Sequence, residues 1–411
     1  MHQHTQTSIA AALVLLMACG SPTGESKGPP ELDTTLPRAL SAAESKISAA
    51  TNVLGFNLLR EARKAEGEVN LFISPLSVSL ALGMTLNGAA GTTLDSMRIA
   101  LGVAGAPIEE INAGYRNLID LLHSLDATSQ FEIANSIWAN AGTAFLPAFL
   151  ATGRTSFDAE VRSLDFAAPA TLGTINDWVK TKTHGKIEKI LDEISAEEVM
   201  FLINAIYFKG SWRSAFDPEL TLDAPFHAAD GTTQSVRTMS LDPEIHPYSS
   251  NRDLELVELP YGNGTFVMDI VLPRPDRTLA DVTAGLDASR WAELVSGLHD
   301  RDFGLRMPKF RMEYKRSLKE DLSTLGMRVA FDSHRANFAN LIEDQAWITK
   351  VQHKTYVDVN EEGTEAAAVT SVGIGETSAP ATLSIDRPFL FLIRERLTGT
   401  ILFVGQMTQV P

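Results

Sequence analysis

The sequence has almost no cysteine: Cys19 is the single one in 411 residues. One thiol cannot form an intramolecular disulfide or a cysteine-based zinc site. The motifs G-x-S-x-G and H-E-x-x-H and a glycine-rich phosphate loop are also absent. The triplet at Asp302–Gly304 matches one kinase motif, but the lysine and catalytic-loop motifs that accompany it in kinases are missing. We therefore predict no enzymatic activity, no metal and no cofactor.

Basic residues are scarce relative to acidic ones. The chain has 35 Lys and Arg against 51 Asp and Glu, for a formal net charge of −16. This balance argues against nucleic acid or an anionic membrane surface as a partner. No long hydrophobic run occurs either, since the apolar stretch at residues 8–18 is too short to span a bilayer. The hydrophobic fraction of 44% is ordinary for a globular protein with a sizeable core.

The N-terminus is predicted to be a targeting segment. The run at residues 8–18 has the length and composition of the apolar region of a secretory signal peptide. The sequence LMAC at residues 16–19 resembles a bacterial lipoprotein cleavage box, in which the cysteine is lipidated; the alternative is a chance cysteine in a discarded leader. We expect a signal peptide at residues 1–18, a lipidated Cys19 beginning a flexible tether at 19–41, and one domain at 42–411.

Helical signals come early in the domain and strand signals come late. Ser74 and Pro75 form a good helix start, and residues 76–86 are apolar nearly all round, which predicts a buried helix. The predicted strands include 201–209, 266–273, 389–393 and 400–404. This order favours an α+β fold.

A long segment of small residues separates two strand-like segments near the C-terminus. Residues 361–370 read EEGTEAAAVT, and from Ala366 to Ile385 a single charge, Glu376, interrupts the small and apolar residues. A structureless loop of this length within a domain is uncommon and usually functional. Small side chains at alternate positions would share one face of a strand; they are Thr364, Ala366, Ala368 and Thr370. The pattern indicates a loop that can become a strand.

The same residues resemble the hinge of inhibitory serpins, which trap proteases by inserting a reactive loop into a central sheet. The resemblance covers residues 43–411. Further blocks occur in the expected order: residues 70–77, 204–212, 307–310, 331–338, His353 and 387–389. It implies three β-sheets, about nine helices and an exposed reactive-centre loop. The implied hinge comprises Glu361, Gly363, Thr364, Glu365, Ala366, Ala367, Ala368 and Thr370.

The resemblance also implies two clusters of functional residues, called the shutter and the breach. Ser74, Ser77, Asn204 and His353 match the shutter, a cluster beneath the central sheet where its strands must part. Four unrelated buried polar residues, each satisfied locally, are the alternative. The breach, at the top of the sheet, would contain Trp212 and an ion pair of Lys309 with Glu361. We expect this pair to control loop insertion rather than to stabilise the fold, because surface pairs contribute only about 0–1 kcal/mol.

The loop also needs a bond for the protease to cleave. The family's usual spacing from Glu361 places the scissile carbonyl on Thr377, so that the reactive bond is Thr377–Ser378. A loop shorter by one residue would place it on Glu376.

The resemblance implies a suicide-substrate inhibitor of a serine protease, with a covalent acyl-enzyme complex. The small Thr377 predicts a target of elastase or subtilisin type. Arg116 is the one Lys or Arg in the predicted helix at residues 108–125, so no heparin dependence is expected. We expect a monomeric, secreted lipoprotein of the bacterial envelope, at the outer membrane or cell surface. A non-inhibitory serpin that acts as a binding or chaperone-like module is the alternative.

Overall fold

The computed structural model describes residue 32 and residues 34–195, 197–364 and 381–411. Within these ranges the chain forms nine α-helices: α1 (Ala42–Glu66), α2 (Pro75–Leu86), α3 (Gly91–Ala100), α4 (Ile108–Ser124), α5 (Pro147–Phe157), α6 (Ala170–Lys182), α7 (Leu279–Gly285), α8 (Ala288–Ser296) and α9 (Lys319–Leu322). None of the helices in the described part of the chain is both long and apolar enough to cross a membrane.

The described residues also form fifteen strands: β1 (Leu71–Ile73), β2 (Gln130–Asn140), β3 (Glu160–Leu164), β4 (Met200–Ser211), β5 (Leu222–His227), β6 (Thr233–Ser250), β7 (Leu254–Pro260), β8 (Phe266–Pro273), β9 (His299–Pro308), β10 (Phe310–Ser317), β11 (Gln352–Asn360), β12 (Gly363–Thr364), β13 (Thr382–Ser384), β14 (Phe389–Glu395) and β15 (Ile401–Met407). The strands predicted within β4, β8, β14 and β15 are confirmed.

The strands form two hydrogen-bonded sheets. The smaller sheet has six strands in the order β10-β11-β12-β4-β2-β3. The larger has nine, in the order β1-β15-β14-β8-β7-β6-β9-β13, with β5 paired to β6. The predicted α+β fold with about nine helices is confirmed. Two of the three expected sheets are continuous, because the long strand β6 pairs with β9 along most of its length and with β7 at its end.

Helix α2 is the element that positions the predicted shutter. The Ser74 side chain accepts a hydrogen bond from the Ser77 backbone N–H, and Pro75 occupies the first helical turn; both features favour a helix start. The helix is buried along nearly its whole length and contacts β4 of the smaller sheet and β15 of the larger one. It therefore lies between the two sheets, as predicted for an all-apolar helix.

The segment before α1 lies against the domain. Ser41 and Glu44 form a capping box at the start of α1. The Arg38 side chain donates a hydrogen bond of 2.9 Å to Glu44 and another to the Asn117 carbonyl. The hydrogen bond from Arg38 lowers the pKa of Glu44 to about 2. Residues 34–41, the last part of the predicted tether, thus have contacts with the domain, whereas Cys19 lies outside the described residues.

Candidate functional site: a slot in the six-stranded sheet

The two-residue strand β12 lies between β11 and β4 and pairs antiparallel with both. Gly363 lies opposite Asn360 of β11 and Ser211 of β4. Thr364 lies opposite Val359 and Gly210. Beyond Thr364, no strand of the described residues lies between β4 and β11. We call the part of the sheet between β4 and β11 below Thr364 the slot, and its upper end is occupied by the start of the predicted reactive loop.

Two cavities lie along the slot. The upper one, of about 20 Å³, is lined by Thr364, by Tyr207 of β4 and by Tyr356 of β11. The lower one, of about 150 Å³, is lined by residues 200–204 of β4 and 352–354 of β11. The slot thus extends from Thr364 down to the predicted shutter residues.

Glycine is required at position 363 by both conformation and space. Gly363 has φ of 150°, in a region that other residues rarely adopt. A Cβ atom there would collide with the backbone oxygen of Gly210 on the neighbouring strand. The hinge can therefore turn into the sheet only because this residue lacks a side chain.

Thr364 is the first residue of the slot with a buried side chain. It is 3% exposed, and its hydroxyl lies 2.6 Å from the hydroxyl of Tyr261. Burial raises the pKa of Tyr261, and the hydrogen bond with Thr364 only partly opposes this effect. The phenol is therefore neutral at physiological pH, and the two hydroxyls form a neutral hydrogen bond beneath the top of the sheet.

The predicted ion pair is present at the top of the slot. Lys309 Nζ donates to Glu361 Oε2 at 2.8 Å, and the Glu361 carbonyl accepts from the Phe216 N–H at 2.8 Å. Burial alone would raise the pKa of Glu361, but the hydrogen bond from Lys309 and further contacts lower it overall. Lys309 is 44% exposed on its side chain, so this pair contributes little to stability.

Trp212 fixes the turn that leads into the slot. Its backbone N–H donates to the Glu362 carbonyl at 2.8 Å, and its indole Nε1 donates to the Asn360 carbonyl at 2.9 Å. Its ring stacks on Tyr261 with centroids 4.4 Å apart. Trp212 and Tyr261 therefore hold both the backbone before Gly363 and the side chain after it.

The four predicted shutter residues lie together at the lower part of the slot. The Ser74 N–H donates to His353 Nε2 at 3.0 Å, and the Ser74 hydroxyl donates to the Leu402 carbonyl at 2.7 Å. The Ser77 hydroxyl donates to the Asn204 carbonyl at 3.4 Å. These bonds join α2 to both strands that border the slot and to β15.

His353 must be neutral to take part in this network. Its Nε2 accepts a hydrogen bond, so the proton of the neutral ring is on Nδ1. Burial lowers the pKa of His353 to about 4. The imidazole is therefore an uncharged acceptor at physiological pH, which suits a network that has to persist in the interior.

Two residues of the site were missed by the sequence analysis. Asn135 of β2 accepts from Asn204 Nδ2 at 2.8 Å and donates to the Phe157 carbonyl at 2.6 Å. Tyr261 contacts Thr364 and Trp212 as described above. A buried Asn within the apolar strand β2 could have indicated the first, whereas Tyr261 is 103 residues from Thr364 in sequence and had no signal of its own.

The remaining predicted loop residues lie outside the described part of the chain. They are Glu365, Ala366, Ala367, Ala368, Thr370, Glu376, Thr377 and Ser378. After the loop, β13 pairs parallel with β9, from Thr382 opposite Gly304 to Ser384 opposite Arg306. The loop is thus anchored in the smaller sheet at one end and in the larger sheet at the other.

Within the described ranges, no three His, Cys, Asp or Glu residues group as a metal site.

These features define a protein in which the predicted loop begins as a short strand, Gly363–Thr364, between two strands of the six-stranded sheet. Comparison with known proteins agrees with this class. Residues 49–410 match the family described as Serpin (serine protease inhibitor), and the chain belongs to this family.

Relatives of known name align with this chain over most of its length. Iripin-2 of Ixodes ricinus is 36% identical over 376 residues, which are 89% of this chain and 94% of the relative. A leukocyte elastase inhibitor of Sus scrofa is 33% identical over 88% of this chain and 99% of its own length. Among solved structures, human thyroxine-binding globulin in complex with thyroxine superposes with a TM-score of 0.83 and 29% identity, covering 90% of this chain and 100% of the other.

Proposed function

We propose that this protein inhibits a serine protease as a suicide substrate. The observation that carries the proposal is the pairing of Gly363 and Thr364 between β11 and β4, at the upper end of a slot that continues for the rest of both strands. A strand added below Thr364 would complete the sheet. The residues that follow Thr364 in the chain are those that would form it.

The register of β12 sets where an inserted loop would lie. If the register of Gly363 and Thr364 continued downward, Ala366 would lie opposite Phe208 of β4 and Thr370 opposite Asn204. On the other side, Thr370 would lie opposite His353 of β11. Ala366, Ala368 and Thr370 would share the buried face of Thr364. Their small side chains fit between the two strands, and each new ladder hydrogen bond would contribute roughly 0.5–1.5 kcal/mol.

In the proposed mechanism, a covalent step precedes insertion. The protease serine attacks the Thr377 carbonyl, the Thr377–Ser378 peptide bond breaks, and Ser378 becomes a new amino terminus. The acyl-enzyme ester joins Thr377 to the protease. Insertion from Glu365 onward then carries the protease away from the anchored strand β13, and distortion of its oxyanion hole stalls hydrolysis of the ester. The intact fold is accordingly metastable and held kinetically.

The breach and the shutter act at the two ends of this movement. Lys309 and Glu361 hold the turn where insertion begins. Ser74, Ser77, Asn204 and His353 hold the strands where insertion proceeds. Because their hydrogen bonds run to α2, β2 and β15 rather than across the slot, the network can persist when a strand is added between β4 and β11.

The proposed target is a protease with a shallow specificity pocket. Thr377 is small and uncharged, which suits an enzyme of elastase or subtilisin type. No Lys or Arg lies between Ala367 and Ile385, so trypsin has no preferred bond there. The name of the porcine relative, leukocyte elastase inhibitor, agrees with this class of target.

Helix α4 bears on heparin dependence. Arg116 is the one Lys or Arg on this helix, so we propose that inhibition needs no heparin.

We further propose that the protein is a monomeric, secreted lipoprotein. Residues 1–18 would be removed as a signal peptide, and a lipid on Cys19 would anchor the domain to a bacterial outer membrane or cell surface. The support is the apolar run followed by LMAC in the sequence.

A non-inhibitory role is the second candidate. Its support is the similarity to thyroxine-binding globulin, a serpin-fold protein described with bound thyroxine. In such a role the slot would never receive the loop. The occupied position at Thr364 favours the inhibitor.

Incubation with active proteases distinguishes the two. We expect a complex stable in SDS with subtilisin or pancreatic elastase, at the summed mass of protease and inhibitor fragment. The matched control is the same protease with its catalytic serine replaced by alanine, which should give no such band. Complete cleavage without any complex would favour the non-inhibitory candidate.

A further inference from the structure

A third cavity lies outside the slot, against the larger sheet. Its volume is about 260 Å³, and it lies between the turn that joins β6 to β7 and the two short helices α7 and α8. Three buried apolar side chains form part of its wall: Leu254, Val282 and Leu286. The residues that line it are different from those that line the two cavities of the slot, so it is a separate site.

Three guanidinium groups also line this third cavity, those of Arg252, Arg277 and Arg290. The Asp253 carboxylate joins the first two, since its Oδ1 lies 2.9 Å from Arg277 Nε and its Oδ2 accepts from Arg252 Nε at 3.3 Å. Neither guanidinium has a second carboxylate partner in the described part of the chain. One carboxylate therefore holds two guanidiniums side by side, and most of their N–H donors are left for a ligand.

The other charged groups leave an excess of positive charge at this cavity. Asp281, the second carboxylate of the lining, accepts from the Thr278 backbone N–H at 3.0 Å and from the Thr278 hydroxyl at 2.7 Å, as part of the α7 capping box. Arg290 donates from Nη1 to Glu293 at 2.7 Å, but Glu293 is not part of the lining. Three cationic groups thus face two anionic ones, in a chain whose formal net charge is −16.

The size and exposure of the cavity suit a ligand with an anionic end and an apolar end. The side chains of Arg277 and Arg290 are 38% and 46% exposed, whereas Arg252 is 85% exposed and lies at the mouth. Guanidiniums bind carboxylate and phosphate oxygens through pairs of parallel N–H bonds. The volume exceeds the roughly 150 Å³ of protein cavities that hold benzene, so an aromatic ring fits beside the anionic group.

We propose that this cavity binds a small aryl phosphate monoester. The phosphate accepts hydrogen bonds from the three guanidinium groups, and the ring packs on Leu254, Val282 and Leu286. A phosphate monoester is favoured over a carboxylate because it has up to two negative charges and three terminal acceptor oxygens, which serve more than one guanidinium at a time. The binding does not depend on the proposed inhibitory function, since the cavity shares no lining residue with the cavities of the slot.

Titration of the wild-type protein with 4-fluorophenyl phosphate and 4-fluorobenzyl alcohol, followed by ¹⁹F NMR, tests the site. Both probes have the same ring, but the alcohol is neutral. We expect saturable binding of the phosphate, at least tenfold tighter than that of the alcohol, and weaker binding as salt screens the guanidiniums. Inorganic phosphate should compete with lower affinity because it has no ring. Absence of saturable binding, or equal affinities of the two fluorinated probes, would overturn the proposal; 4-fluorobenzoate binding more tightly than the phosphate would overturn the phosphate assignment.

Two variants and a control locate the binding. Arg277→Gln and Arg290→Gln should each reduce the affinity for 4-fluorophenyl phosphate at least tenfold, and both should fold because the two side chains are partly exposed. The matched control is Arg154→Gln, which removes the same charge from an exposed position on α5, away from the cavity. It should bind as wild type does. An equal loss in all three variants would reduce the effect to net charge, and unchanged affinity in Arg277→Gln and Arg290→Gln would place binding elsewhere; either result contradicts the proposal.

Discussion

The hydroxyl of Thr364 lies 2.6 Å from that of Tyr261, so the first buried residue of the loop contacts the residue that follows strand β7. Tyr261 is itself stacked on Trp212. The contact shows that this position holds a small polar side chain that is 3% exposed, so a large charged side chain there would have to be buried. A substitution at Thr364 therefore tests the slot directly.

We predict that Thr364→Arg converts the inhibitor into a substrate. A buried, unpaired guanidinium costs several kcal/mol, so insertion should become slower than hydrolysis of the acyl-enzyme. The measurement is the number of inhibitor molecules consumed for each protease molecule trapped, which should rise strongly. Thr364→Ser is the matched control, because it keeps the hydroxyl, and it should trap as well as wild type. Wild-type stoichiometry in Thr364→Arg would refute insertion at this position.

The start of the slot could be predicted from the sequence, but its surroundings could not. Gly363 and the small Thr364 stand out because a hinge needs residues without bulk, and the structure places both between β11 and β4. Tyr261 is distant in sequence, and no local pattern links it to Thr364. The length of β6 could not be predicted either, because Pro243 and Pro247 interrupt the strand pattern in the sequence. In the structure the strand continues past them with a register shift between Leu241 and Glu244. For that reason the continuity of two of the expected sheets was missed.

The shutter should make stability depend on pH. The pKa of His353 is about 4 in the fold and about 6.5 when unfolded. Because the folded pKa is the lower one, the unfolded chain binds the proton first, and stability is lost as pH falls from about 6.5 to about 4. The loss should approach about 3 kcal/mol. Urea unfolding at several pH values measures it.

His353→Gln is the control for this pH dependence. The Gln carbonyl can still accept a hydrogen bond but has no proton to gain. We expect the variant to be less sensitive to pH between 6.5 and 4 than wild type, at some cost in stability at pH 7.5. Parallel curves for the two proteins would mean that His353 does not contribute the pH dependence.

Protease selectivity should follow the size of Thr377. A threonine leaves a deep chymotrypsin-like pocket partly empty, which costs about 1–3 kcal/mol, or roughly 10–200-fold in rate. It also lacks the positive charge that the acidic floor of a trypsin-like pocket requires. Second-order inhibition constants should rank elastase or subtilisin first and trypsin last. Mass spectrometry should locate the cut after Thr377; a cut after Glu376, or efficient trapping of trypsin, would overturn the assignment.

The proposed membrane anchoring depends on one atom, the sulfur of Cys19. Expressed with its own leader in a Gram-negative bacterium, the wild-type protein should appear in the membrane fraction and Cys19→Ser should be released from it. Labelling with a radioactive fatty acid should follow the same pattern. Equal fractionation of the two proteins would exclude a lipid anchor at this residue.

The most direct test of loop insertion is the heat stability of the protein before and after a single cut in the loop. A strand of about ten residues would add roughly 5–15 kcal/mol of ladder hydrogen bonding. This corresponds to an increase in Tm of about 6–20 °C for a domain of this size. Calorimetry on intact and nicked protein, with the two fragments kept together, makes the comparison. A nicked protein that melts far above the intact one is the predicted result; equal melting temperatures would show that the cleaved loop stays outside the slot and would contradict the account.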